Sequence, residues 1–260
     1  MAHFQPFTAT TYTLISRFSK QSNSIIEYNT FDSTTLQAEF KSNLTIADVN
    51  INGLFYLSDM TSLKTLKAIR TAKVQQKVRV KNGFATLADK VFIGDWKYQQ
   101  LTIDVVKAST GKWTKCIFPY KGTSNVKPIP FDEIQSAASN VAEHLLQNKQ
   151  ALCKGDNRTD WYLFGRTQAL NDVSIDKLSI SSVIKDVNSI KLVRVSSGKG
   201  VYGGLYIISS VPFSIIEKII LSDEYVSYIK MLKNYKSGGY YTCSGKDIEL
   251  FINYKLSQNE

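Results

Sequence analysis

The chain has little cysteine and almost no histidine. Its three cysteines, Cys116, Cys153 and Cys243, are odd in number, far apart and in no Cys-x-x-Cys spacing. That pattern argues against a disulfide framework and suits reduced thiols in a cytoplasmic protein. The two histidines, His3 and His144, neighbour no cysteine or carboxylate cluster, so no metal site and no histidine-based nucleophilic triad is expected. No apolar run approaches the ~18 residues a membrane span needs. The start, Met-Ala-His-Phe-Gln-Pro-Phe, has neither a basic n-region nor an apolar h-region. A soluble, intracellular chain without a membrane partner is the expectation. Internal repeats, low-complexity tracts and a Walker loop are also missing.

One nucleotide-binding string does occur, Gly198-Lys199-Gly200-Val201-Tyr202-Gly203. Its chemistry requires a helix to open there, so that backbone N–H groups face a pyrophosphate. The chain instead continues into the β-type run GLYIISS, and Pro212 defers any helix. A glycine-rich β-turn is therefore expected. The acidic pairs Asp132-Glu133 and Asp223-Glu224 stand where helices should begin, and complementarity to the helix dipole accounts for them. No catalytic residue is expected in this chain.

What is present is a foldable, basic sequence. Hydrophobic residues make up 43% and aromatics 12% of 260 residues, enough for one large domain or two small ones with a sizeable core. Lys+Arg number 32 against 22 Asp+Glu, a net charge of +10. Such an excess serves either a polyanionic partner or simple solubility.

The pattern is α+β, with short, mainly antiparallel strands and helices concentrated towards the C-terminus. Hairpins are expected at 10–19 with 24–31, around Asn82-Gly83 within 78–93, and at 101–107 with 113–118. The segment 61–77 spaces Leu63, Leu66, Ile69 and Ala72 as an amphipathic basic helix, and 133–147 reads as a helix capped by Asp132. Further β-type runs fall at 178–184, 189–195 and 201–209. Helices follow Pro212, Ser222 and Ser244. Basic residues interleave with aromatics and glycines in five segments, 77–86, 112–127, 154–168, 194–206 and 233–246. In any one segment core aromatics beside solvated lysines account for this mixture better, but its recurrence in five favours a nucleic-acid surface.

Five strings occur in order: 81–93 (KNGFATLADKVFI), 117–120 (IFPY), 161–168 (WYLFGRTQ), 202–206 (YGGLY) and 236–242 (KSGGYYT). Together they resemble the C-terminal half of adenine-specific (N6) DNA methyltransferases of restriction–modification systems, the group with a TaqI-like specificity domain. The resemblance covers roughly residues 75–255. It implies a target-recognition domain over 61–260, preceded in 1–60 by the last strands of a Rossmann-like catalytic domain.

In that family S-adenosylmethionine is bound through a Phe-x-Gly-x-Gly type motif, and the target adenine is held by Asn/Asp-Pro-Pro-Tyr. This chain has neither, since Pro119-Tyr120 follows Phe118 in the specificity half. The resemblance therefore implies no cofactor on this chain and no activity alone. It implies double-stranded DNA and a separate S-adenosylmethionine-binding catalytic subunit as partners, with a cognate restriction endonuclease as a further one. The alternative is a stand-alone DNA-binding or restriction-system interaction protein without chemistry.

By the same logic Arg79, Lys81, Lys121, Arg166, Gln168, Lys199 and Lys236 are the expected DNA-binding residues, lysines and arginines on phosphates and one or two side chains on base edges. Trp161, Tyr162 and Phe164 are expected to anchor a core strand that Gly165 ends, presenting Arg166 and Gln168. For Arg166 a structural salt bridge is the equal alternative. Gly238-Gly239 would let the backbone approach a phosphate, while Tyr240 and Tyr241 read as core.

Overall fold

The computed structural model describes residues 16–17, 19–32, 35–153 and 159–258. The fold is mixed α+β, with short, mostly antiparallel strands and a C-terminal helix. Among the described residues no helix is long and apolar enough to cross a membrane.

The chain forms two compact units, one from residues 1–78, 183–190 and 211–260, the other from 79–182 and 191–210. The division does not fall at residue 60, because later helices return to complete the first unit.

In the first unit, strands Ile26–Asp32 and Gln37–Leu44 pair as an antiparallel hairpin. The second strand of the expected 10–19 with 24–31 hairpin forms and pairs onward with Gln37–Leu44, while residues 10–15 and 18 of its first strand lie outside the described residues. The Met60–Thr71 helix starts where the Asp59 carboxylate accepts from the Ser62 N–H at 2.9 Å. It buries Leu63, Leu66 and Ile69. It ends at Thr71, short of the expected 77, and residues 74–77 run on as irregular backbone.

Helices Phe213–Ile220, Asp223–Met231 and Gly245–Gln258 follow the stop and start signals read from Pro212, Ser222 and Ser244. Asn253, buried on the last of these, accepts from the Lys77 and Val78 N–H groups and donates to the Val78 carbonyl. One amide thereby satisfies three backbone groups of the adjoining segment.

The second unit holds two four-stranded sheets. One runs in the order Leu192–Val195, Lys177–Ile180, Leu205–Ser209, Val78–Asn82. The other runs Gly200–Tyr202, Thr102–Lys107, Lys112–Ile117, Ile93–Gly94, with its first pair parallel and the others antiparallel. Gly198 turns at φ +84° between strands, and no helix opens there, as the β-turn reading requires.

Asn82-Gly83, in contrast, is not a hairpin turn. The chain continues extended, and Phe84 bridges Tyr202 in parallel. Glycine is needed at 83 for close approach: a Cβ would collide with the Val201 carbonyl. The expected 133–147 helix is two, Phe131–Ala137 and Ser139–Gln147, broken at Ala138 (φ −145°). Asp132 lies in the first turn, and Pro130 occupies the cap position assigned to it.

Candidate nucleic-acid interface

The 159–170 segment begins with aromatics and ends with polar groups, and the second unit divides it accordingly. Residues 159–163 are turns rather than the expected core strand. The anchoring survives nonetheless. Phe164 lies among Phe84, Phe92, Phe118 and Tyr120, with ring centroids 5.0–6.0 Å away. Tyr162 is buried and donates to the Ile129 carbonyl at 2.9 Å. The Tyr120 hydroxyl accepts from the Phe164 N–H at 2.8 Å, and burial pushes that phenol far above its ordinary pKa. Trp161 is only half-buried, against Phe131.

Gly165 then donates to the Thr86 carbonyl and Arg166 to that of Ala85, at 2.9 and 3.1 Å. A Cβ at 165 would overlap the Leu87 side chain, so this close approach is reserved for glycine. At the far end of the same pair of segments, Lys81 Nζ meets Asp172 Oδ2 at 2.8 Å. Residues 79–86 and 165–172 therefore lie side by side as a strip on which Arg79, Lys81, Arg166 and Gln168 are each exposed. Arg79 and Arg166 have no ion pair among the described residues. The salt-bridge alternative for Arg166 has no carboxylate there to complete it.

The other expected contacts are more constrained. Lys81 shares Asp172 Oδ2 with the Tyr206 hydroxyl, which donates at 2.5 Å. Lys121 pairs with Glu133 at 2.6 Å, both half-exposed. Lys199 sits 3.4 Å from Asp104 and 5.2 Å from the centre of the Trp113 ring. Exposed pairs of this kind contribute about 0–1 kcal/mol, so a phosphate can replace the carboxylate at small cost. Lys236 belongs to the first unit, opposite Tyr240, beside a turn in which Gly238 and Gly239 have φ of +74° and +77°. Tyr240, read as core, is 38% exposed, and Tyr241 is half-buried. The strand they occupy is the middle one of three short strands.

Lys177, which pattern reasoning passed over inside a β-type run, is buried and donates to the Asp172 and Ile175 carbonyls. It closes the turn that carries Asp172. Burial pulls its pKa down to about 8, against the opposing pull of Asp172 and Asp176. Unfolded lysine titrates near 10.4, so between those values the unfolded chain binds more protons here and stability rises with pH. Cys116, Tyr120 and Tyr206 are pushed up by burial. Their contribution is present below their unfolded values and is lost as pH climbs above them. In urea unfolding, Lys177 is expected to raise stability as pH climbs from about 8 towards 10, while the buried thiols oppose it from about pH 8.5 and the buried phenols from about pH 10. Lys177→Met should abolish the rise and keep the fall.

His144 serves the packing, its Nε2 lying 2.9 Å from the Val91 carbonyl and its ring against Trp96. Among the described residues no group of three His, Cys, Asp or Glu side chains could hold a metal ion. The second unit carries 17 Lys+Arg against 10 Asp+Glu, +7 of the chain's +10. The arrangement is suited to anion binding by exposed arginines on a rigid aromatic base. No protein-family model matches this chain, and no curated protein matches it in sequence.

Proposed function

We propose that this chain is the DNA target-recognition half of a site-specific adenine-N6 DNA methyltransferase, with methyl transfer carried out by a separate S-adenosylmethionine-binding chain. The observation that carries the reading is the strip on the second unit, where Arg79 and Arg166 stand exposed without carboxylate partners in the more basic part of the molecule. Arginine matches both phosphate oxygens and the O6/N7 edge of guanine with two donors, and glutamine at 168 suits the N6/N7 edge of adenine.

Four of the five strings that carry the family resemblance contribute Phe84, Phe92, Phe118, Tyr120, Phe164 and Tyr202 to one core. They support a shared scaffold. Recognition is assigned to the residues that leave it.

Selection from a pool of randomised duplexes tests the reading. Enrichment of one adenine-containing site is the expected result. Duplex binding without enrichment supports the alternative of a DNA-binding protein with no target, and no binding at all removes both readings. In fluorescence anisotropy, Arg79→Gln should weaken all duplexes alike and lower the salt slope by ~1. Arg166→Gln should either do the same or cost ~1–3 kcal/mol at one base pair, which separates a phosphate contact from a base contact.

A further inference from the structure

The Thr102–Lys107 and Lys112–Ile117 strands place Lys107 directly opposite Lys112. Like charges facing each other across an antiparallel pair are destabilising, and neither ammonium has an ion pair among the described residues. Both line a groove of about 460 Å³ together with Thr110, Trp113, Tyr202 and Asp95.

Tyr202 supplies an independent sign of a ligand. Its ring is 92% buried in the aromatic core, and its hydroxyl has no hydrogen-bond partner among the described residues. Ser179 Oγ is the one side-chain polar atom there that is both sealed from solvent and unpartnered. The Tyr202 hydroxyl is therefore not sealed from solvent, and Tyr202 is one of the residues that line the groove. Burial and the nearby Asp89 raise its pKa, so it remains a donor at neutral pH. The Thr110 hydroxyl oxygen accepts from the Lys112 N–H at 3.4 Å, which leaves its proton to donate. Thr114 is already committed to the Gly94 carbonyl and Asp95.

Two ammoniums, a phenol and a hydroxyl thus line one groove, and against its single carboxylate, Asp95, the two lysines leave it net positive. Unpaired cations and unspent donors in one concavity are the complement of a tetrahedral oxyanion. The geometry points to a phosphate-binding groove, in which Lys107, Lys112, Tyr202 and Thr110 hold one backbone phosphate of the bound nucleic acid. The assignment of that phosphate to a polynucleotide rests on the DNA-binding reading above. The same chemistry would accept the phosphate of a free nucleotide.

The test uses the full chain, a fluorescein-labelled duplex, and AMP and inorganic phosphate as competitors. Tyr202→Phe removes only the hydroxyl and keeps the ring in the core, so it should melt like wild type. It is expected to bind the duplex about 10-fold more weakly, the scale of one hydrogen bond to a charged group. The Lys107→Gln/Lys112→Gln variant should lower the salt slope by about 1 to 2, and millimolar AMP or phosphate should displace little duplex. If both variants match wild type while Arg79→Gln/Arg166→Gln binds weakly, the groove proposal is overturned and the DNA-binding reading stands. If wild type ignores duplex but binds labelled AMP in a Tyr202-dependent way, the DNA reading falls. The groove then belongs to a free nucleotide, and its assignment to a backbone phosphate is overturned.

Discussion

Phe164→Ala is expected to destabilise the second unit by about 3–5 kcal/mol, the range for truncating a fully packed phenylalanine. The ring touches four other aromatics, contributed by two other segments, and is 4% exposed. Its removal leaves a cavity that neighbouring rings, held by one another and by the Tyr120 hydrogen bond, cannot close. Urea unfolding followed by circular dichroism measures the loss directly. On the DNA-binding proposal, the same change should also weaken duplex binding wherever the fold persists, because the backbone hydrogen bonds of Gly165 and Arg166 come immediately after it. Trp161→Ala provides the contrast: that ring is half-buried at the edge of the core, and its loss should cost no more than about 2 kcal/mol.

Asp247→Ala is expected to cost the first unit about 3–5 kcal/mol, since it strands a buried guanidinium. Asp247 Oδ1 accepts from Arg70 at 2.6 Å, and Oδ2 accepts from the Ser244 N–H and hydroxyl at 2.9 and 2.7 Å. The two side chains are 9% and 11% exposed. Arg70 also lies over the Tyr56 ring and within 3.4 Å of the Tyr228 hydroxyl. A thermal melt of Asp247→Ala beside the double variant Arg70→Met/Asp247→Leu separates two quantities. The double variant should recover most of the loss, because replacing both charges removes the uncompensated ion. If it melts with the single variant, the cost belongs to the Ser244 cap instead.

Much of the fold was legible because its signals are local. Ser222 caps a helix, Pro212 precedes one, and Ser109-Thr110-Gly111 turns a hairpin where its residues say it should. The errors arose where a distant segment overrode a local preference. Asn82-Gly83 has the composition of a tight turn, yet neighbouring hydrogen bonds to Gly204 and Val201 draw the chain straight. The hairpin of Ile26–Asp32 with Gln37–Leu44 was not read from the sequence, because its second strand is mostly exposed and buries only its last residue, Leu44, fully. Trp161 to Phe164 bury rings without forming a strand, because the core needs their side chains and the turn supplies their backbone contacts.

The strip and the groove differ in how far sequence could reach them. Arg79, Lys81, Arg166 and Gln168 stood out by composition, but only the alignment of 79–86 beside 165–172 makes them neighbours. Lys107 and Lys112 were visible as two lysines flanking a turn, and their direct opposition is a consequence of register.

By itself the sequence determined an α+β chain with a basic surface and an aromatic interior, without a metal-ligand pattern or a methyl-donor motif. Those properties depend on residue type and short spacing, which any fold of this chain must respect. Tertiary structure alone decided which cations are neutralised, as Lys81, Lys121 and Lys199 are by Asp172, Glu133 and Asp104, and which stay free to meet an anion. Charge pairing acts over a few ångströms between residues as far as 177 positions apart, as in Arg70 and Asp247, and only the folded backbone sets those distances.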